Sequence, residues 1–360
     1  MGWPYSLVRA VACVDADMIF LRSSRRRLLQ TAGAATLIGI PGISLAASTV
    51  TLRSSISQAP NQYSALYLWH QYFDEELKKA AGDRVKVDLF PNGQLGKESD
   101  IVQQVRIGAV DMMASGSSIW ATALPELSLL DMGFLFNDWD HVDHAVDAGV
   151  GEQFNRLLQA RTGCSVIGWG NQYNARSVYT KKDKVVTKLA ELKDVKLRVL
   201  PTPIFVETFK LLGAIPTPIP VNELYTAVQT GVVDGFEHDA GTILASKFNE
   251  VVSNCWLTNH LYSPSVTVIG KRGLDKVPKD LQPAFLKAAD AATRRERAEA
   301  VKRGQGTIAE LEKLGITYHP MDPTERKNVV RIMSERLWPG VVKSYPATRP
   351  MMDIIDKTRA

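Results

Sequence analysis

Cysteine is scarce in this chain, with three in 360 residues. That excludes a disulfide-stapled scaffold, in which cross-links replace a core. Catalytic signatures are missing too. After residue 46 there is no GxSxG elbow, no HExxH pair and no GxxxxGK[ST] phosphate loop. Six histidines are scattered without metal-site spacing, and neither Cys164 nor Cys255 carries the local motif of a thiolate nucleophile. Neither an enzyme nor a cofactor is expected. Charge of one sign is lacking as well. Residues 1–46 hold five arginines and two aspartates, so the remainder has 38 basic against 36 acidic residues. Without a basic stripe interleaved with aromatics, no nucleic-acid partner is expected. No repeat or low-complexity tract breaks the chain.

What is present begins with a leader. Ser24-Arg25-Arg26-Arg27-Leu28-Leu29 precedes a Gly/Ala-rich apolar run from Thr31 to Leu45. Ser44-Leu45-Ala46 offers small residues for cleavage near Ala46 or Ala47. The run is too short and too weakly apolar to span a bilayer. Residues 1–46 therefore read as an export signal to the periplasm. The consecutive arginines resemble a twin-arginine signal, with a general secretory signal as the alternative. Outside the cytoplasm Cys164 and Cys255 can pair, but each lies in apolar, strand-like sequence and reads as a buried thiol.

A hydrophobic content of 45% with 22% charged residues is that of a soluble globular protein, long enough for two domains. Thr49–Ser54 reads as a strand, and Tyr67, Leu68, Tyr72, Phe73 and Leu77 repeat at helical spacing. Val85, Val87 and Leu89 alternate up to the turn Pro91-Asn92-Gly93. A helix through Ile101–Ile107 and a short strand Val110–Ala114 follow. Such alternation predicts an α/β fold with mainly parallel sheets covered by helices. Val166–Tyr179 reads as a βα passage into a second lobe, and Leu189–Lys193 as a short helix. Val232–Gly235 reads as a strand ending at its glycine. Pro283–Lys313 predicts a long helix, kinked near Gly304-Gln305-Gly306, and Asp322-Pro323-Thr324-Glu325 a helix start.

The most informative stretch is KLRVLPTPIFVETFKLLGAIPTPIPVNELYTAVQTGVVDGFEHD, residues 196–239. In KLRVL, Leu197 and Val199 face one side of a strand and Arg198 the other. A cation on a short strand before Pro201 and Pro203 suits a fixed anion clamp; a solvated edge arginine is the bland reading. This stretch resembles the periplasmic solute receptors of TRAP transporters, the DctP-like family. FPNGQLGKESDIVQQVRIGAVDMM, PELSLLDMGFLF, NQYNARSVYTKKDKVV and KFNEVVSNCWLTNH match the family in order and spacing, over nearly the whole chain after residue 48.

The resemblance implies a two-lobed periplasmic-binding-protein fold with a hinge and an interlobe cleft. Lobe I would be 48–173 plus 264–303, and lobe II 174–263 plus 304–360. It implies a monomer that delivers a small organic acid to the small and large membrane subunits of a TRAP permease. A receptor feeding a sensor kinase is the alternative. Arg198 inherits the ligand-carboxylate salt bridge, and Arg176, with Asn174 beside it, the assisting position. Many relatives carry an aromatic residue where this chain has Val221, and DGQEN where it reads Asp234-Gly235-Phe236-Glu237-His238. Glu237 and His238 are thus candidate lining groups, and an imidazole there predicts pH-sensitive recognition. Glu98 and Ser55 are candidates from the first lobe. Ser115 is a weaker one, and Trp120 reads better as a buried aromatic. Gly116 and Ile119 replace the glutamate and arginine of the sialic-acid branch, which argues against that ligand. Glu237-His238-Asp239 are consecutive and cannot converge on one ion, and Arg176 would repel a cation, so no metal is expected. Two arginines without an aromatic partner favour a sugar acid over a C4-dicarboxylate.

Overall fold

Alternation sets the first element of the computed structural model, which describes residues 49–359. In strand β1 (Val50–Ser55), Leu52 and Ser54 are buried while Thr51 and Arg53 face solvent. The Ser64 hydroxyl accepts from the Tyr67 amide and so starts the helix Ala65–Ala81. That helix buries Leu68, Trp69, Phe73 and Leu77, and the Phe73 ring meets Phe285 edge-on at 5.1 Å. Large side chains buried in this way contribute roughly 1.5–3 kcal/mol each.

Strand β2 (Val85–Phe90) pairs parallel with β1, as does β3 (Met112–Gly116). Two strands, β4 (Ser165–Gly170) and β5 (Arg176–Thr180), then follow without a helix between them. The βα passage expected over Val166–Tyr179 is corrected accordingly. Next come β6 (Lys196–Val199), β7 (Ile215–Pro218) and β8 (Gly235–His238). The chain closes its sheets with β9 (Asn254–Leu261), β10 (Ser265–Ile269) and β11 (Thr317–Pro320). One sheet runs β2-β1-β3-β10-β4 and the other β11-β9-β5-β8-β6-β7. Five of the nine strand pairings are parallel. This is the two-lobed α/β fold expected, one sheet to each lobe. Among the described residues no helix is long and apolar enough to cross a membrane. The export signal lies outside them.

Three local expectations shift. The strand at Val110–Ala114 sits two residues later, as β3. Strand β8 begins, rather than ends, at Gly235, where a Cβ would lie 2.2 Å from the Tyr179 carbonyl of β5. The helix Gln282–Lys313 runs unbroken through Gly304, with no kink. Gly304 is there for a close approach, since a Cβ would meet the Tyr173 carbonyl at 1.9 Å. The Asp322 carboxylate caps the next helix by accepting from the Thr324 and Glu325 amides. Cys164 and Cys255 are both buried free thiols.

The chain crosses between the sheets at residues 171–175, at 262–264 and along the long helix. Phe285, Ala288, Ala289 and Ala292 of that helix pack with Trp69 and Phe73 beside the first sheet. Its far end puts Ile308 and Leu311 among Leu224, Phe236 and Ile243 beside the second.

Candidate functional site

The carboxyl ends of β1, β3, β6 and β8 point into one cavity between the sheets. Open α/β sheets gather ligands at this end of their strands. Ser57 and Gln58 follow β1, Gly116 ends β3, Arg198 lies near the end of β6 with Leu200 just after it, and His238 ends β8. Ser118, Ile119, Gln172, Val221, Thr242 and Ser263 complete much of the wall, with Glu98 at the start of its helix. Among the described residues no Phe, Tyr or Trp lines it.

Arg198 is not an edge residue, because β6 lies between β8 and β7. Its side chain is 1% exposed, and its Nε donates to the Ile219 carbonyl at 2.7 Å. Nη1 has no partner, and no carboxylate among the described residues forms a salt bridge with it. Burial pulls its guanidinium down to about 10; Glu237 and Glu98 oppose this, and the like charge of Arg176 adds to it. A strong donor is thus held dry and unsatisfied at the cavity wall.

Arg176 is placed differently. Glu237 takes it in a bidentate pair, Nε to Oε2 at 2.5 Å and Nη2 to Oε1 at 2.8 Å. Nη2 also donates to the Glu237 carbonyl at 2.9 Å. Burial alone would push the Glu237 carboxyl up, but Arg176 and His260 outweigh it and bring it to about 2. Arg176 therefore reaches the cavity with its charge already balanced.

Glu98 is half-buried and accepts from the Ser57 hydroxyl at 2.8 Å. Burial raises its pKa against the pull of Ser57, Arg198 and Arg176. Behind the wall, Asp131 accepts from the Ser118 hydroxyl at 2.6 Å and from Ser263 at 3.3 Å. Its Oδ2 has no partner, and burial raises it to about 7. The His238 imidazole is lowered to about 4 by burial and then by Arg176. In the ligand-free protein this favours the neutral ring near neutral pH.

Arg198, Arg176, His238 and Glu98 thus come together, while three other candidates do not. Ser55 is buried inside β1 against Phe90 and Met113; Ser57, two residues on, reaches the cavity. Asn174 is tied to the long helix, donating to the Gly304 carbonyl at 2.9 Å and accepting from Thr307 at 2.6 Å. Glu237 sits behind Arg176 as its counter-ion and is fully buried. Ser115 and Trp120 are buried without lining the cavity. Sequence reasoning missed Gln58, Gln172 and Thr242. Thr242 had a signal, the helix start Asp239-Ala240-Gly241-Thr242, in which Asp239 caps the Thr242 amide at 3.0 Å.

Polar contacts close the cavity from both sides. Gln58 Nε2 donates to Thr242 Oγ1 at 2.7 Å, Asn61 donates to the Ala245 carbonyl at 3.0 Å, and Lys97 pairs with Glu223 at 2.6 Å. Among the described residues no three His, Cys, Asp or Glu side chains are placed to hold a metal ion.

Residues 56–340 match the family described as bacterial extracellular solute-binding protein, family 7. The chain is similar to the 2,3-diketo-L-gulonate-binding periplasmic protein YiaO of Escherichia coli, 30% identical over 88% of this chain and 94% of that one. A solved TRAP periplasmic solute-binding protein from Polaromonas sp. JS666, bound to D-erythronate, superposes with a TM-score of 0.78 at 26% identity, covering 87% of this chain and 99% of its own. Another, from Sulfitobacter sp. NAS-14.1 with bound α-D-taluronate, gives 0.77 at 28% identity, covering 86% and 98%. The chain therefore belongs to family 7 of the bacterial extracellular solute-binding proteins, and is a periplasmic solute receptor of the TRAP transporters rather than an enzyme.

Proposed function

We propose that this receptor binds a hydroxylated monocarboxylate, a sugar acid of the aldonate or uronate class, with its carboxylate on Arg198. The observation that carries the reading is the imbalance between the two arginines. Arg176 is neutralised by Glu237, whereas Arg198 keeps a buried Nη1 with no partner. One uncompensated cation matches one carboxylate; a C4-dicarboxylate would bring a second negative charge toward Glu98 and the Arg176–Glu237 pair. Hydroxyl and amide groups share the wall with Leu66, Ile119, Leu200 and Val221, and among the described residues no Phe, Tyr or Trp lines it, which suits a polyol better than an aromatic acid. Relatives support the class: solved neighbours hold D-erythronate, galactonate and α-D-taluronate. A C4-dicarboxylate-binding relative is 25% identical.

In this reading the lobes, 48–173 plus 264–303 and 174–263 plus 304–360, close on the ligand by a hinge motion. A monomer released by cleavage near Ala46 or Ala47 then delivers it to the small and large membrane subunits of the permease. A thermal-shift screen of aldonates, uronates, C4-dicarboxylates, 2-oxo acids and benzoates tests the class, because saturating ligand raises stability by RT ln(1 + [L]/Kd). Stabilisation by aldonates or uronates is expected. A response confined to dicarboxylates or to neutral sugars overturns the reading.

A further inference from the structure

The geometry points to His238 as the residue that selects a ligand hydroxyl, its Nε2 offered bare to the cavity as a hydrogen-bond acceptor while Asp239 holds the proton on Nδ1. This rests on the sugar-acid reading and names the group that the site demands beyond the carboxylate.

The argument starts at Asp239. Its Oδ1 accepts from the Thr242 amide at 3.0 Å, and its Oδ2 from the Thr242 hydroxyl at 2.7 Å. The Thr242 hydroxyl is free to donate there because it accepts from Gln58 Nε2, whose own Oε1 accepts from Ser64 at 2.6 Å. The chain Ser64 to Gln58 to Thr242 to Asp239 therefore has one direction, and it ends on a carboxylate. Burial raises the Asp239 carboxyl, but His238, the Thr242 hydroxyl and Arg176 outweigh it and hold it below its usual range.

His238 Nδ1 lies 2.8 Å from Asp239 Oδ2. A bare nitrogen at that distance would set its lone pair against an ionised oxygen, so the proton belongs on Nδ1. The Asp239 amide donates toward Nδ1 at 3.0 Å and Arg176 Nη1 lies 3.5 Å from it, which would suit a bare Nδ1, but the ionised oxygen is closer and charged and decides the proton's place. Nε2 has no partner among the described residues, and the ring lines the cavity. With the imidazole lowered to about 4, Nε2 remains unprotonated at neutral pH. A carboxylate or keto oxygen has no proton to give it, whereas a hydroxyl does. A site built to bond a hydroxyl rejects the analogue that lacks one, because its own polar group is left dry.

Two measurements test this. In the ligand-free protein at neutral pH, nitrogen-15 NMR of labelled histidine should show His238 protonated at Nδ1 and bare at Nε2, assigned against His238→Asn. The reverse tautomer overturns the proposal. Calorimetry should next compare D-galactonate with its 2-, 3- and 4-deoxy counterparts. For the wild type, at least one deoxy acid should bind roughly 10- to 100-fold more weakly. That penalty should collapse to about twofold or less in His238→Phe, which lacks the acceptor, and persist in part in His238→Gln, whose Oε1 can accept. An equal penalty in His238→Phe, or none in the wild type, overturns the assignment. If no aldonate or uronate binds the wild type, the sugar-acid reading fails, and the nitrogen spectrum still decides the tautomer.

Discussion

Replacing Arg198 by methionine should make the empty receptor more stable and nearly abolish its function. The guanidinium is buried and titrates near 10 rather than at its ordinary 12.5. The folded chain therefore releases that proton more readily than the unfolded one, so the penalty is complete at neutral pH and lifts only above about pH 10. One pKa unit is about 1.4 kcal/mol, so the free protein carries about 3 kcal/mol of strain at this side chain. Methionine fills similar space without charge but forfeits the 2.7 Å bond to the Ile219 carbonyl, at a cost of about 1 kcal/mol. The net gain is about 2 kcal/mol, readable by urea or thermal unfolding of ligand-free protein. Binding moves the other way. Removing one partner of a buried ion pair costs about 3–5 kcal/mol, or between about two and four powers of ten in Kd. Calorimetry on the best ligand from the thermal screen measures it. An Arg198→Met protein that binds within about fivefold of wild type, or that is less stable when empty, refutes the reasoning.

Glu237→Gln should destabilise the fold by about 3–5 kcal/mol by stranding the Arg176 charge, and should shift preference toward C4-dicarboxylates; unfolding curves and calorimetry on succinate and galactonate check both. Asp131 and Glu296, buried with pKa values raised to about 7 and about 8, favour the folded state while protonated. Their contribution is complete below the ordinary carboxylate range and is lost as pH rises through 7 and 8. The empty receptor should therefore melt at a higher temperature at pH 5.5 than at pH 8.5, and Asp131→Asn with Glu296→Gln should flatten that slope. Glu223→Ala, which removes the exposed pair with Lys97 at the mouth, should weaken binding only a few-fold, with no effect left in high salt.

The sequence shows the fold where periodicity is unambiguous. The helices at Ala65–Ala81 and Gln282–Lys313, the strands β1 and β2 and the Asp322 cap all stand close to where spacing and capping put them. It fails where pairing, rather than local pattern, decides. Val232-Val233 looks like strand sequence, yet β8 starts at Gly235 because only a residue without Cβ can lie on the Tyr179 carbonyl. The site divides in the same way. Arg198, Arg176, His238 and Glu98 are visible as chemistry out of place on strands and at a helix start. That Arg176 is spent on Glu237 while Arg198 is not depends on the register in which β8 pairs with β5, and no spacing in the sequence states it. Gln58 and Gln172 are ordinary polar loop residues until the fold brings them to the wall.

The long helix has a mechanical consequence. Thirty-two residues at about 1.5 Å each make a rod of about 48 Å, bedded at one end beside each sheet. Loops alone at the waist would let the halves twist, shear and swing independently. A shared beam removes most of that freedom. Any parting of the sheets must flex the rod or lift Ile308 and Leu311 from their bed, and Asn174 and Thr307 clamp it beside the crossing segment 171–175. If the lobes close by a hinge as proposed, the rod would favour a single arc and bring the two walls back to the same register. In the reading proposed above, recognition by an unpaired guanidinium and a single ring nitrogen would depend on that repeatability.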